Sequence, residues 1–140
     1  MTAPREFTLA EARAALATIR GHVDALRAAQ AALRDRRRQL HALNRRHLNN
    51  GVAGEREGRV LRREQRRLGE QAQRLVAAIM ETGVEIKGID DGLIDFPATV
   101  HGVPAYWCWR ASEAEIAWWH PRSAGFAGRR PIDARGEARS

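Results

Sequence analysis

Hydrophobic side chains recur at alternating steps of four and three residues through the first half of the chain. This spacing places them along one side of an α-helix and is typical of helices that pack together lengthwise. Thr8 followed by Glu11 fits a capping box, so we expect the helix to begin beside them. The stripe is apolar at its start and polar towards its end, and it consists of Ala12, Leu16, Ile19, Val23, Leu26, Gln30, Leu33, Arg37, Leu40, Asn44 and His47.

A second stripe with the same spacing follows a segment rich in glycine and asparagine. Residues 49–58, NNGVAGEREG, predict a break in the helix because Gly and Asn favour turns. Gly83 is the expected C-terminal cap of the second helix. A short connection makes the two helices antiparallel neighbours, so we expect a hairpin with an apolar base and a polar tip. The second stripe consists of Leu61, Gln65, Leu68, Ala72, Leu75 and Ile79.

Beyond Gly83 the chain is rich in β-branched and aromatic residues and in turn signals, a composition typical of short strands joined by turns. His101-Gly102 suits a two-residue hairpin loop, and residues 111–115 suit the next turn. The predicted strands are 93–99, 103–110 and 116–120, with a further candidate strand at 84–89.

The hairpin loop sets a register in which Asp95 lies opposite Cys108, while the next hairpin pairs Cys108 with Trp118 and Tyr106 with His120. Side chains alternate between the two faces of a sheet. One face is then entirely apolar and collects Ile94, Phe96, Ala98, Val100, Val103, Ala105, Trp107, Trp109, Ala117 and Trp119. The other face collects Leu93, Asp95, Pro97, Thr99, Pro104, Tyr106, Cys108, Arg110, Ile116, Trp118 and His120.

A sheet of three or four strands is marginal alone, so we expect its apolar face to pack on the base of the hairpin. The predicted fold class is α+β: a long antiparallel, coiled-coil-like helical hairpin followed by a small antiparallel β-meander packed at its base. We predict one folding unit with the hairpin at 1–83 and the sheet cap at 84–132. Residues 133–140 have little to bury and are expected to be disordered.

Composition narrows the cellular setting. The chain has 140 residues, a single cysteine and no apolar run of the length that spans a membrane. Its first residues do not have the pattern of a secretory signal. One cysteine cannot form an internal disulfide, which fits a reducing compartment. We therefore expect a cytoplasmic protein without a membrane span.

The net charge of +7 is concentrated in the hairpin. Thirteen arginines and five acidic residues between Arg34 and Arg74 give this segment +8, which leaves −1 for the rest of the chain. Such a surface suits a phosphate-rich or acidic partner, either nucleic acid or protein. The alternative is a solvated helix surface with an arginine bias. The basic candidates are Arg36, Arg37, Arg38, Arg45, Arg46, Arg62, Arg63, Arg66 and Arg67.

Polar residues within the first stripe, Arg37 and Asn44, also suggest a second partner helix. The hairpin is therefore a candidate surface for a homodimer. A splayed and hydrated tip explains the same residues.

The polar face of the predicted sheet is the second candidate site. It carries Asp95, Tyr106, Cys108, Arg110, Trp118 and His120, with Glu113 in the adjoining turn. Thiolate, imidazole and carboxylate groups bind transition metals, so we consider zinc or iron bound by a set comprising Asp95, Cys108, Glu113 and His120.

Two other interpretations of this face stay open. In one, Asp95 pairs with Arg110, His120 caps a hydrogen bond and Cys108 is a small buried apolar residue. In the other, Cys108 is a nucleophile whose pKa is lowered by His120, although cover by Trp118 opposes that. A half-exposed Trp118 would also suit a binding anchor.

Several strings along the chain resemble an uncharacterised bacterial family, the domain of unknown function 2203. They are FTLAEARAAL (7–16), GLIDFP (92–97), CWR..E (108–113), I.WWHP (116–121) and GFAGRRPI (125–132). Ser112 and Trp107 replace the Gly and the aliphatic residue of the family pattern. The resemblance implies a helical hairpin with a C-terminal cap and assigns neither an activity nor a catalytic residue.

Two functional hypotheses follow. The first is a non-enzymatic binding or scaffolding module whose arginine-rich hairpin tip contacts an acidic partner. The second is a metal-binding or Cys/His-dependent site on the polar face of the sheet.

Overall fold

The computed structural model describes residues 5–46 and 51–139, without the side chains of residues 51–53. Two long helices, α1 (Leu9–Arg46) and α2 (Gly51–Glu81), pack against each other. Within the described ranges, neither helix is apolar over a length that would cross a membrane.

The predicted capping box at the start of α1 is confirmed. The backbone N–H of Thr8 donates to Glu11 Oε1 at 2.9 Å, and the backbone N–H of Glu11 donates to Thr8 Oγ1 at 3.1 Å. At the same end of the hairpin, where α2 ends beside Arg5, Gly83 has a φ of 99°, the left-handed conformation expected of a C-terminal cap.

The start of α2 differs from the prediction. The expected break at 49–58 is wrong for residues 51–58, which are helical, while residues 49 and 50 lie outside the described part. Gly54, Gly58 and Leu61 are buried at steps of four and three residues, so they continue the stripe of α2. Each glycine costs the helix about 1 kcal/mol relative to alanine.

The second half of the chain forms an antiparallel meander of five strands in chain order. Its turn at His101 and Gly102 has φ values of 52° and 77°, the two positive angles of a type I′ hairpin. The strands are β1 (Glu85–Gly88), β2 (Leu93–Val100), β3 (Val103–Trp109), β4 (Trp118–Pro121) and β5 (Arg130–Pro131), with a 3-10 turn at Phe126–Gly128 between the last two.

The predicted register is confirmed across three strands. Asp95 pairs with Cys108, Cys108 pairs with Trp118, and Tyr106 pairs with His120. The α+β fold class is confirmed as well.

The apolar face of the sheet packs on the helices as expected. One buried cluster joins side chains of both helices with those of the central strands. Val103 departs from this pattern and is 43% exposed. Ile116, assigned to the polar face, is fully buried in the cluster because β4 begins only at Trp118, so strand alternation does not extend to residue 116.

Residues 133–139 also differ from the prediction of a disordered tail. The backbone N–H of Asp133 donates to Glu137 O at 2.8 Å, and Ile132 forms a β-bridge with Ala138. The indole N–H of Trp119 donates to Arg139 O at 2.7 Å. The hydrogen bond of Trp119 ties the segment to β4.

Candidate metal centre

Three side chains with metal-binding groups meet on the polar face of the sheet. Asp95 comes from β2, Cys108 from β3 and His120 from β4. One ligand atom from each lies within 4.8 Å of the others. The register produces this meeting because Cys108 lies directly opposite Asp95 and one diagonal step from His120.

The cluster is buried. Asp95 and His120 are each 2% exposed and Cys108 is 0% exposed. Asp95 Oδ2 lies 3.2 Å from His120 Nε2, while Asp95 Oδ1 is buried without a hydrogen-bond partner among the described residues. An unpaired buried acceptor is costly, so this oxygen calls for a ligand.

The orientation of His120 is set by its own strand. Its Nδ1 lies 2.9 Å from Pro121 O, and a carbonyl only accepts, so Nδ1 carries the hydrogen. Nε2 is then the nitrogen that faces Asp95. A ring held by a carbonyl at one nitrogen and open at the other is the usual arrangement of a metal-bound histidine.

The charge on His120 depends on opposing effects. Burial lowers its pKa, whereas the hydrogen bonds with Asp95 and with Pro121 O and the negative charge of Asp95 raise it. The raising effects dominate, so the pKa of His120 lies above its usual value. In the metal-free protein, protonation therefore pairs an imidazolium with the Asp95 carboxylate.

Cys108 does not have the environment of a nucleophile. Burial, followed by the negative charge of Asp95, raises the pKa of the Cys108 thiol to about 12. Both ring nitrogens of His120 already have partners, Asp95 and Pro121 O, and the carboxylate beside the thiol, that of Asp95, raises the thiol pKa rather than lowering it. The geometry disfavours the nucleophilic interpretation.

The comparison with protein families finds one match over most of the chain. The model of an uncharacterised conserved protein family, the domain of unknown function 2203, matches residues 5–132. The chain belongs to this family. The match includes both helices and all three residues of the cluster. No curated protein and no solved structure matches the chain.

In this family member, Glu113 is separate from the cluster. Its Oε1 accepts hydrogen bonds from Arg129 Nη2 at 2.6 Å and from the backbone N–H of Arg110 at 3.0 Å. The structure thus does not bring the fourth predicted ligand to the other three. The expected ion pair between Asp95 and Arg110 does not form among the described residues. Asp95 instead contacts His120, and the guanidinium of Arg110 lies 5.4 Å from the centre of the Phe126 ring.

The two aromatic residues predicted for this face flank the cluster. Tyr106 is 8% exposed, and its ring centre lies 5.4 Å from that of His120. Trp118 is half-buried, and the guanidinium of Arg129 lies over its ring, 5.1 Å from the ring centre. Arg129 therefore already occupies one face of the tryptophan proposed as a binding anchor.

A pocket of about 280 Å³ opens onto the cluster and includes residues that the sequence did not indicate. Lys87 lies on β1, which the sequence offered only as a further candidate strand. Arg122, Gly125 and Phe126 follow β4 in a segment without periodicity. The string GFAGRRPI was the available signal for part of this segment. It carried no indication that Phe126 would line a pocket over the cluster.

The arginine-rich part of the hairpin forms a groove of about 660 Å³. Among the basic candidates, Arg36 forms ion pairs with Asp35 and with Glu64 of the other helix, and Arg38 contacts Asp35. Residues 47–50, at the end of the hairpin, are outside the described part. The groove is lined by Leu33, Arg59, Arg62, Arg63, Gln65 and Arg66.

Proposed function

We propose that this protein binds a divalent transition metal, zinc or iron, through the side chains of Asp95, Cys108 and His120. The supporting observation is the convergence of three buried ligand groups within 4.8 Å of one another. A carboxylate, a thiolate and an imidazole form a ligand set that suits both metals.

The distances fit an ion after a small adjustment. Ligand atoms around a tetrahedral zinc ion lie roughly 3.5 Å apart, given metal–ligand bonds of about 2.0–2.3 Å. Asp95 Oδ2 and His120 Nε2 already lie 3.2 Å apart. The 4.8 Å limit on the remaining distances requires side-chain movements of about 1 Å at most.

The metal-free alternative is a buried ion pair between Asp95 and His120, with Cys108 as a small apolar neighbour. It accounts for the 3.2 Å contact. It also accounts for the interaction of the Cys108 thiol with the Asp95 carboxylate, which helps to raise the thiol pKa, but Asp95 Oδ1 has no geometric hydrogen-bond partner in the described part of the chain. A bound cation would be a common partner for the Asp95 carboxylate and the Cys108 sulfur, and the meeting of these groups with His120 supports the metal site.

Elemental analysis of protein purified without chelator tests the proposal. We expect about one zinc or iron ion per chain, lost in Cys108→Ala and in His120→Ala. His41→Ala is the matched control because His41 is an exposed histidine of α1, outside the cluster. Metal-free protein whose unfolding temperature does not change on addition of zinc or iron would refute the proposal.

A second function, contact with an acidic partner, is supported by the arginine groove. Arg59, Arg62, Arg63 and Arg66 are exposed along it, and none of them forms an ion pair within residues 5–46 and 51–139. Uncompensated guanidinium groups attract the phosphates of nucleic acid or the carboxylates of an acidic protein.

Charge reversal tests this second function. Replacement of Arg62, Arg63, Arg66 and Arg67 by Glu should abolish a salt-sensitive complex in lysate, while replacement of the same four residues by Lys should retain it. A complex unchanged by the Glu variant refutes the contact. Light scattering identifies a complex that contains this chain alone, which is the result expected of a homodimer through the hairpin.

A further inference from the structure

The pocket above the cluster has one wall that is unusually suited to an anion. Arg122 lines it, with its guanidinium 5.1 Å from the centre of the Tyr106 ring. Arg122 Nε donates to Ala105 O at 3.4 Å, a contact that does not use the two terminal nitrogens. Within the described ranges no carboxylate forms an ion pair with Arg122.

The second cation of the pocket is already compensated. Lys87 Nζ lies 3.0 Å from Glu85 Oε1 and 4.9 Å from the centre of the Tyr106 ring. Its positive charge is therefore offset by a neighbour on the same strand. Arg122 is left as the cation of the pocket wall with an unused hydrogen-bonding edge.

The charges of the three ligand residues also favour an anion in this pocket. A divalent cation is neutralised by one carboxylate and one thiolate, those of Asp95 and Cys108, with a neutral imidazole from His120. Arg122, an exposed residue at the edge of this pocket of about 280 Å³, then has no ion pair within the described ranges, although its charge acts on the carboxylate of Glu85 from further away. Three protein ligands also leave one position open on a tetrahedral ion, the arrangement found in catalytic zinc sites.

We propose that this pocket binds a small oxyanion, a carboxylate or a phosphate group, between the bound metal and the guanidinium of Arg122. The inference rests on the metal site proposed above. A guanidinium presents paired N–H donors that match two oxygens of either group, and the metal takes another oxygen at its open position. Tyr106 supports the guanidinium by stacking against it.

The test uses protein loaded with cobalt(II), whose visible absorption reports its ligands, and titrates it separately with inorganic phosphate and with acetate. We expect a saturable spectral change with at least one anion, and the tighter of the two identifies the chemical source of the oxyanion. Affinity is calculated per bound cobalt ion, so that differences in metal loading between variants do not enter.

Substitution at Arg122 tests its role. Arg122→Gln should weaken anion binding about tenfold or more, because a charge-assisted pair is lost, and Arg122→Lys should show a smaller loss. Arg135→Gln is the control, since it removes one exposed positive charge outside the pocket. Equal anion affinities in Arg122→Gln and Arg135→Gln overturn the assignment.

The two proposals fail in different ways. If the visible absorption of the cobalt-loaded protein shows no saturable change with either anion, the oxyanion site is refuted and the metal site stands. Protein that binds no cobalt overturns both. Anion binding that is equally tight without cobalt overturns the placement of the anion on the metal.

Discussion

Asp95 Oδ2 and His120 Nε2 lie 3.2 Å apart although 25 residues and a whole strand separate their backbones. Strands β2 and β4 flank β3, so their backbones are roughly 10 Å apart. The two side chains meet by reaching over the residue of β3 that lies between them, Cys108. The short side chain of Cys108 leaves room for the contact, and its sulfur lies within 4.8 Å of a ligand atom of each of the two residues.

The contact between Asp95 and His120 should stabilise the metal-free protein. In the presence of chelator, we expect a coupling free energy of about 1–3 kcal/mol between Asp95→Ala and His120→Ala, because each single variant leaves a buried polar group unpaired. Urea unfolding of the two single variants and the double variant measures it. Additive free energies of unfolding would contradict the contact.

Cys108 should be inert in the folded protein. With chelator present, we expect iodoacetamide to react with it only after unfolding, because the thiol is fully buried and its pKa is raised to about 12. Mass spectrometry of native and urea-unfolded samples measures the extent of reaction. Comparable rates in both samples would show that the thiol is accessible and would revive the nucleophilic interpretation.

The sheet, and with it most of the cluster, could be predicted because two local signals agree. The His101-Gly102 loop sets the register of β2 and β3, and strict alternation separates polar from apolar side chains. Together they place Asp95 opposite Cys108 before any tertiary contact is known. The same reasoning brought His120 to the same face.

Glu113 could not be assigned in this way. It lies in a turn, where the direction of a side chain follows no period, and its carboxylate is held by Arg129 from a segment 16 residues further along the chain. The start of α2 was missed for a related reason. Gly54 and Gly58 resemble turn residues in sequence, and only packing shows that they are buried positions of the helix.

Two glycine substitutions should change stability in opposite directions. Gly102→Ala should destabilise the protein by about 1–2 kcal/mol, because φ is 77° and an L-residue is strained in this conformation. Gly69→Ala should stabilise it by about 0.5–1 kcal/mol, since Gly69 lies within α2 and has open space around the added methyl group. Thermal or urea unfolding measures both, and a stabilising Gly102→Ala would contradict the turn.

The packing of α1 on the sheet predicts a further contrast. Ile19 is fully buried in the core, so Ile19→Ala should reduce the free energy of unfolding by about 2–5 kcal/mol. Val60 is 44% exposed, and Val60→Ala should change it by less than about 0.5 kcal/mol. Equal effects in the two variants would show that the core is placed wrongly.

The metal centre is tested most directly by X-ray absorption spectroscopy of the zinc-loaded protein. We predict one sulfur neighbour at about 2.3 Å and nitrogen or oxygen neighbours at about 2.0–2.1 Å, with the sulfur lost in Cys108→Ala. A first shell made of nitrogen and oxygen alone in the unsubstituted protein would contradict the binding of the metal by Asp95, Cys108 and His120.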